Sequence, residues 1–153
     1  MKRLLACAAL AMLPGVAVAS WNTISGVASL TDTSGELVLQ IIDGEDAALT
    51  LISAFQTTQP AKLCENNATR ITEPEFFDNW EINGTPVKMG RMCVGPYVQV
   101  LPYSREGQEY LASRVRSNKN ITVKSRLAEK PFIFVNKNGS NAILKLINGP
   151  RAI

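Results

Sequence analysis

The chain has 153 residues, with 16 lysines and arginines against 13 aspartates and glutamates and no histidine, for a formal net charge of +3. A chain without imidazole lacks the usual general base, the Ser-His-Asp and Cys-His arrangements and the commonest transition-metal ligand. Its size suits one domain with a genuine hydrophobic core.

The first segment reads as an export signal. Lys2 and Arg3 precede an apolar run from Leu4 to Val18 broken by Pro14 and Gly15, and Ala17-Val18-Ala19 supplies the small residues of a cleavage site. Cleavage after Ala19 is expected, leaving residues 20–153 as a single β-rich domain in the periplasm of a bacterium or in its medium. Leu4-Leu5-Ala6-Cys7 only superficially resembles a lipoprotein site, because most of the apolar segment follows the cysteine. No later apolar run approaches the ~20 residues needed to cross a bilayer, so an integral membrane protein is not expected.

Cys64 and Cys93 are then the remaining thiols in an oxidising compartment, and a disulfide is expected. Closing such a loop stabilises a fold by roughly 3.5 kcal/mol. A reactive thiol is a poor alternative without a CxxC arrangement or a histidine.

Trp21 to Leu30 can form a strand, Thr31 to Gly35 turns, and Glu36 to Ile42 returns with Leu37, Leu39 and Ile41 on one face. After a second turn at Asp43-Gly44-Glu45-Asp46, Ala47 to Phe55 is apolar on both sides, as a central strand should be. Gln56 to Thr69 lacks periodicity and should cross between layers. Ile71 to Ile82 carries Phe76, Phe77 and Trp80, which are expected to pack a subsidiary core beneath the disulfide loop or, on a sharper reading, to form a ligand-binding ledge. Asn83-Gly84 turns the chain. Val87 to Val94 and Tyr97 to Leu101 read as one strand interrupted at Gly95-Pro96.

The most secure helix begins at Ser104, a good N-cap, with Glu106 and Glu109 near the positive end of the peptide dipole and Arg114, Arg116 and Lys119 near the other. Leu111 and Val115 share its apolar face, and Arg114 must snorkel or find a partner. Ile121 to Leu127 alternates as a strand. Phe132 to Val135 and Ala142 to Ile147, joined by a polar loop with Asn138-Gly139, read as a hairpin. The expected architecture is therefore mainly β (α+β): an antiparallel sandwich or curved sheet with one short helix packed on it and one disulfide.

Charge is unevenly distributed. Residues 20–90 hold Lys62, Arg70 and Lys88 against ten acids, whereas residues 91–153 hold eleven bases against Glu106, Glu109 and Glu129. Interleaving of the halves would neutralise them. Otherwise Arg114, Arg116, Lys124 and Arg126 would form a basic surface suited to another envelope protein, an anionic glycan or lipopolysaccharide. Nucleic acid is not expected as a partner, since the basic segment lacks interleaved stacking aromatics.

No G-x-S-x-G elbow, phosphate-binding glycine loop or dinucleotide fingerprint is present. Glu73, Glu75, Asp78 and Glu81 beside Trp80 could supply the carboxylates of a cell-wall glycan hydrolase, although their spacing has no specificity and solvated acids explain them better. Asp43, Glu45 and Asp46 do not follow a calcium-loop pattern and read as a hairpin tip. No metal or cofactor is expected.

Asn83-Gly84-Thr85-Pro86-Val87, a cysteine-bearing strand, a short helix and a lysine-bearing strand resemble in order the invasion-associated locus B family of secreted bacterial envelope proteins. The resemblance covers about the middle third of the mature chain, and the family's closely spaced second cysteine has no counterpart here. It implies a small periplasmic β-rich protein with no known catalysis. The leading expectation is a non-catalytic exported binding module of inhibitor, immunity or accessory type, with Phe76, Phe77 and Trp80 and the basic set Arg114, Arg116, Lys124 and Arg126 as candidate contact surfaces. A structural component of a surface assembly is a further reading.

Overall fold

The structure, a computed structural model, describes residues 20–43, 51–65 and 71–149. The expected signal segment and the hairpin tip after Asp43 lie outside these residues. Among the described residues nine strands form one sheet: β1 (Asn22–Ile24), β2 (Val27–Thr31), β3 (Leu37–Asp43), β4 (Leu51–Thr57), β5 (Glu75–Ile82), β6 (Thr85–Val94), β7 (Tyr97–Pro102), β8 (Ile121–Lys124) and β9 (Phe132–Phe134). Their spatial order is β1-β2-β3-β4-β7-β6-β5-β8-β9, and all neighbours pair antiparallel. Three helices accompany them: α1 (Lys62–Glu65), α2 (Arg105–Arg116) and α3 (Gly139–Asn148).

The sheet curls without closing. Six places separate β3 from β9, which in a flat sheet would set them roughly 29 Å apart at ~4.8 Å per strand. Thr33, in the turn between β2 and β3, nevertheless donates its N–H to the Ile133 carbonyl of β9 at 2.9 Å. The concave face gathers Leu39, Ile41, Phe55, Met89, Val100 and Ile121 with Leu111 and Val115 of α2 and Ile143 and Leu146 of α3 into one buried cluster. Fully burying side chains of this size contributes about 1.5–3 kcal/mol each. Phe55 sits between Trp80 and Phe134, with ring centroids 5.6 Å away on either side. Trp80 is thus part of the main core and not of a subsidiary one beneath the disulfide.

Helix α2 follows its expected chemistry. Ser104 Oγ accepts from the Gly107 N–H at 3.1 Å, and Leu111, Ala112 and Val115 face inward. The backbone N–H of Glu106 and then the Ser104 hydroxyl hold the Glu106 carboxyl below its ordinary range. One contact was not legible. β4 pairs with β7 only at Phe55 and Gln56, and beyond them Gln108 of α2 enters the gap: its Oε1 accepts from Ser53 N at 2.7 Å, and its Nε2 donates to the carbonyls of Ser53 and Pro102 at 3.1 Å each. A side-chain amide here does the work of a missing peptide unit, so buried backbone groups stay paired where the sheet splays.

Several sequence expectations are corrected. Residues 21–30 form not one strand but a hairpin, β1 to β2, reversing at Ser25-Gly26 with φ of 47° and 78°, the doubly positive pattern of a tight I′ turn. Gly95-Pro96 likewise reverses the chain, with Val94 opposite Tyr97; Gly95 takes a φ of +58°, and proline at the second position needs no N–H. Strand β8 stops at Lys124, leaving Leu127 exposed. Residues 142–147 belong to helix α3, because Ala142, Ile143 and Leu146 turn inward at helical spacing while Leu144 and Ile147 are exposed. With the single turn α1, the helices number three among the described residues, not one.

The disulfide is present. Cys64 on α1 joins Cys93 on β6 with Cα atoms 5.5 Å apart, and both cysteines are buried. It pins the irregular connection after β4 to the middle of the sheet.

Candidate functional site

The two ends of the sheet, β1 and β9, meet across a seam that the residues after β9 occupy. Asn136 is fully buried there. Its Nδ2 donates to the carbonyls of Arg114 (3.2 Å), Val115 (2.9 Å) and Lys119 (3.1 Å), and its Oδ1 accepts from Trp21 Nε1 at 2.9 Å. One amide therefore adds to the bonds that Ser117 and Asn118 already make to the last carbonyls of α2, reaches the Lys119 carbonyl just beyond it and ties down the chain entering β1.

Helix α3 starts hard against this point. A Cβ on Gly139 would overlap Asn136 Oδ1 and the Val115 carbonyl, so only glycine fits. Asn138, the N-cap, makes no side-chain capping bond. Asn118 takes over that role from the end of α2, where its Oδ1 accepts the Ser140 N–H at 2.9 Å. With φ of 57°, Asn118 is itself in the left-handed conformation that terminates helices.

Between β1 and α3 lies a groove of about 720 Å³, whose walls include Trp21, Thr23, Lys137, Asn141, Leu144 and Lys145. No carboxylate lines it among the described residues, and neither lysine is in an ion pair with a described residue. The result is an electropositive concavity with amide donors and acceptors and one exposed leucine, Leu144. Such a surface can hold an anionic, partly apolar partner.

The residues singled out from sequence are dispersed. Trp80 is buried and contributes to no surface. Phe77 falls at a bulge in β5 and is half-buried beneath the Arg91 guanidinium, 4.8 Å from its ring centroid. Only Phe76 is exposed, edge-on to Tyr103, whose ring occupies the space a Gly90 side chain would need, with Cδ2 2.8 Å from a Cβ built there. Of the basic set, Lys124 pairs with Glu81 at 3.0 Å and Arg126 lies 3.8 Å from Asp78. Arg114 covers the Tyr110 ring at 5.3 Å, with its buried Nε unpartnered. Arg116, at the end of α2, is exposed. Together with Arg91–Glu75 at 3.0 Å, three ion pairs join the basic half of the chain to the acidic half, so the halves interleave along β5. Of the proposed hydrolase carboxylates, Glu75, Asp78 and Glu81 are engaged in these pairs, and none lines the groove.

The groove residues carried one signal in sequence. Asn141, Lys145 and Asn148 form a polar stripe at helical spacing, which is visible only once residues 139–148 are read as a helix. No protein-family model, no curated protein and no solved structure matches the chain.

Proposed function

We propose that this protein is an exported, non-catalytic binding module that engages an acidic envelope or extracellular protein through the groove between β1 and α3. The observation that carries this reading is the groove itself, a concavity of binding-site size where, among the described residues, two lysines stand outside any ion pair beside several amides and no carboxylate. The signal-like first residues support export, and the disulfide accords with an oxidising compartment. An anionic glycan or lipopolysaccharide would meet the same lysines, but the apolar wall of Trp21 and Leu144 favours a protein.

Photo-crosslinking in the exporting cell tests this. A photoreactive residue at Asn141 or Thr23 is expected to give a discrete adduct with a protein, and one at Phe76 or Arg116 is not. Adducts confined to Phe76 or Arg116, or adducts with glycan or lipopolysaccharide at Asn141, would overturn the reading.

A further inference from the structure

The geometry points to β1 as an acceptor edge: an extended acidic peptide adds to it as a further strand, lying in the groove against α3. This rests on the binding reading above and specifies its mode. Among the described residues, β1 is the end of the sheet and pairs with β2 alone. The two-residue turn makes Ile24 and Val27 the closing, hydrogen-bonded pair, and the alternation of antiparallel pairing then directs the N–H and C=O of Thr23 away from β2.

Thr23 is opposite Ala28, whose side chain is buried on the concave face, so Thr23 presents its side chain to that face too. One wall of the groove is thus a free backbone edge, and the other is the side of α3 carrying Asn141, Leu144 and Lys145. An extended chain uses both at once. Its backbone pairs with Thr23, while every second side chain points at α3, where carboxylates meet Lys137 and Lys145 and an apolar group covers Leu144 and Trp21. Strand addition in a groove beside a helix is an established mode of peptide recognition. A glycan would use the lysines but has no regularly spaced donors and acceptors for the edge.

The test uses the oxidised protein and a capped synthetic peptide alternating glutamate and valine, followed by backbone amide shifts and Trp21 fluorescence. Binding should weaken with salt, shift the Thr23 and Asn141 amides, and fall about tenfold or more in the K137E/K145E variant. T23P removes the outward N–H at an edge position that tolerates proline and should weaken binding about five- to tenfold, with the unfolding midpoint unchanged. Independently of that variant's folding, one of two peptides N-methylated on alternate residues should fail to bind. Equal binding by both N-methylated peptides, shifts remote from Thr23, or binding of oligogalacturonate in place of the peptide would overturn strand addition. Should the Asn141 crosslink to protein persist in any of these cases, the binding groove stands and only its mode falls; loss of the crosslink removes both.

Discussion

Trp21 Nε1 donates to Asn136 Oδ1 at 2.9 Å across 115 positions of sequence, and this bond joins the residue just before the first strand to the one on which both long helices converge. Asn136 has no access to solvent, so every bond it makes replaces water that cannot reach the site. Replacing it by leucine leaves the Lys119 carbonyl and the Trp21 indole N–H without a partner and takes one donor from each of the Arg114 and Val115 carbonyls, which keep their bonds from Ser117 and Asn118; this should cost about 3 kcal/mol in urea unfolding. Trp21→Phe removes only the donor and should cost about 1 kcal/mol. A double-mutant cycle should give a coupling of at least about 0.5 kcal/mol; strict additivity would mean that the two side chains act independently.

Gln108 provides a second check on the splayed part of the sheet. Gln108→Leu leaves Ser53 N–H and two carbonyls unpaired beside the core and should destabilise by about 2 kcal/mol. Gln108→Glu keeps an acceptor for Ser53 N but turns an oxygen toward the carbonyls of Ser53 and Pro102, and should be no better. Hydrogen exchange at the Ser53 amide reads this directly: its protection should fall in both variants, while that of Leu39 on neighbouring β3 holds.

The Cys64–Cys93 bridge spans 29 positions. Replacing both cysteines by alanine should lower stability by about 3.5 kcal/mol through the freed unfolded chain. The core cluster consists of strands and helices that the bridge does not build, so circular dichroism should still report the folded state. A loss under about 1 kcal/mol would show that the open loop is already restricted when unfolded.

Glu106 gives a pH dependence of definite sign. Its own backbone N–H and the Ser104 hydroxyl favour the ionised carboxyl, so its folded pKa lies below the ordinary 4.5. The associated stability is present above that ordinary value and is lost as pH falls through the folded one. A carboxyl carbon NMR titration should place its midpoint below 4.5, and Ser104→Ala should move it upward. An unchanged midpoint in that variant would remove the hydroxyl from the cause.

Much of the strand content was legible because burial on one face imposes a period of two. Leu37, Leu39 and Ile41 could be assigned inward from the sequence, and they are. The same reasoning could not separate a bend from a reversal at Gly95-Pro96, since both need a glycine of positive φ. It also failed at residues 142–147, where nearly every position is apolar and a strand and a helix fit equally. Phe76, Phe77 and Trp80 looked equivalent as neighbours. The bulge at Phe77 and the curl of the sheet gave them an exposed, a half-buried and a fully buried place.

Local chemistry in the sequence by itself determined the Ser104 cap, the extent of α2 and the turn at Asn83-Gly84, because each depends on residues close together, and the Cys64–Cys93 pairing was legible once Cys7 was assigned to the expected signal segment. Only the tertiary structure decided which polar groups are indispensable. Asn136, Gln108 and Gly139 have ordinary identities in unremarkable stretches, and what makes them matter is the set of atoms brought against them from as far as 115 positions away. The groove is of the same kind: its lysines and its free strand edge come from opposite ends of the chain, and they become neighbours only because the sheet curls far enough to bring its two ends together without closing.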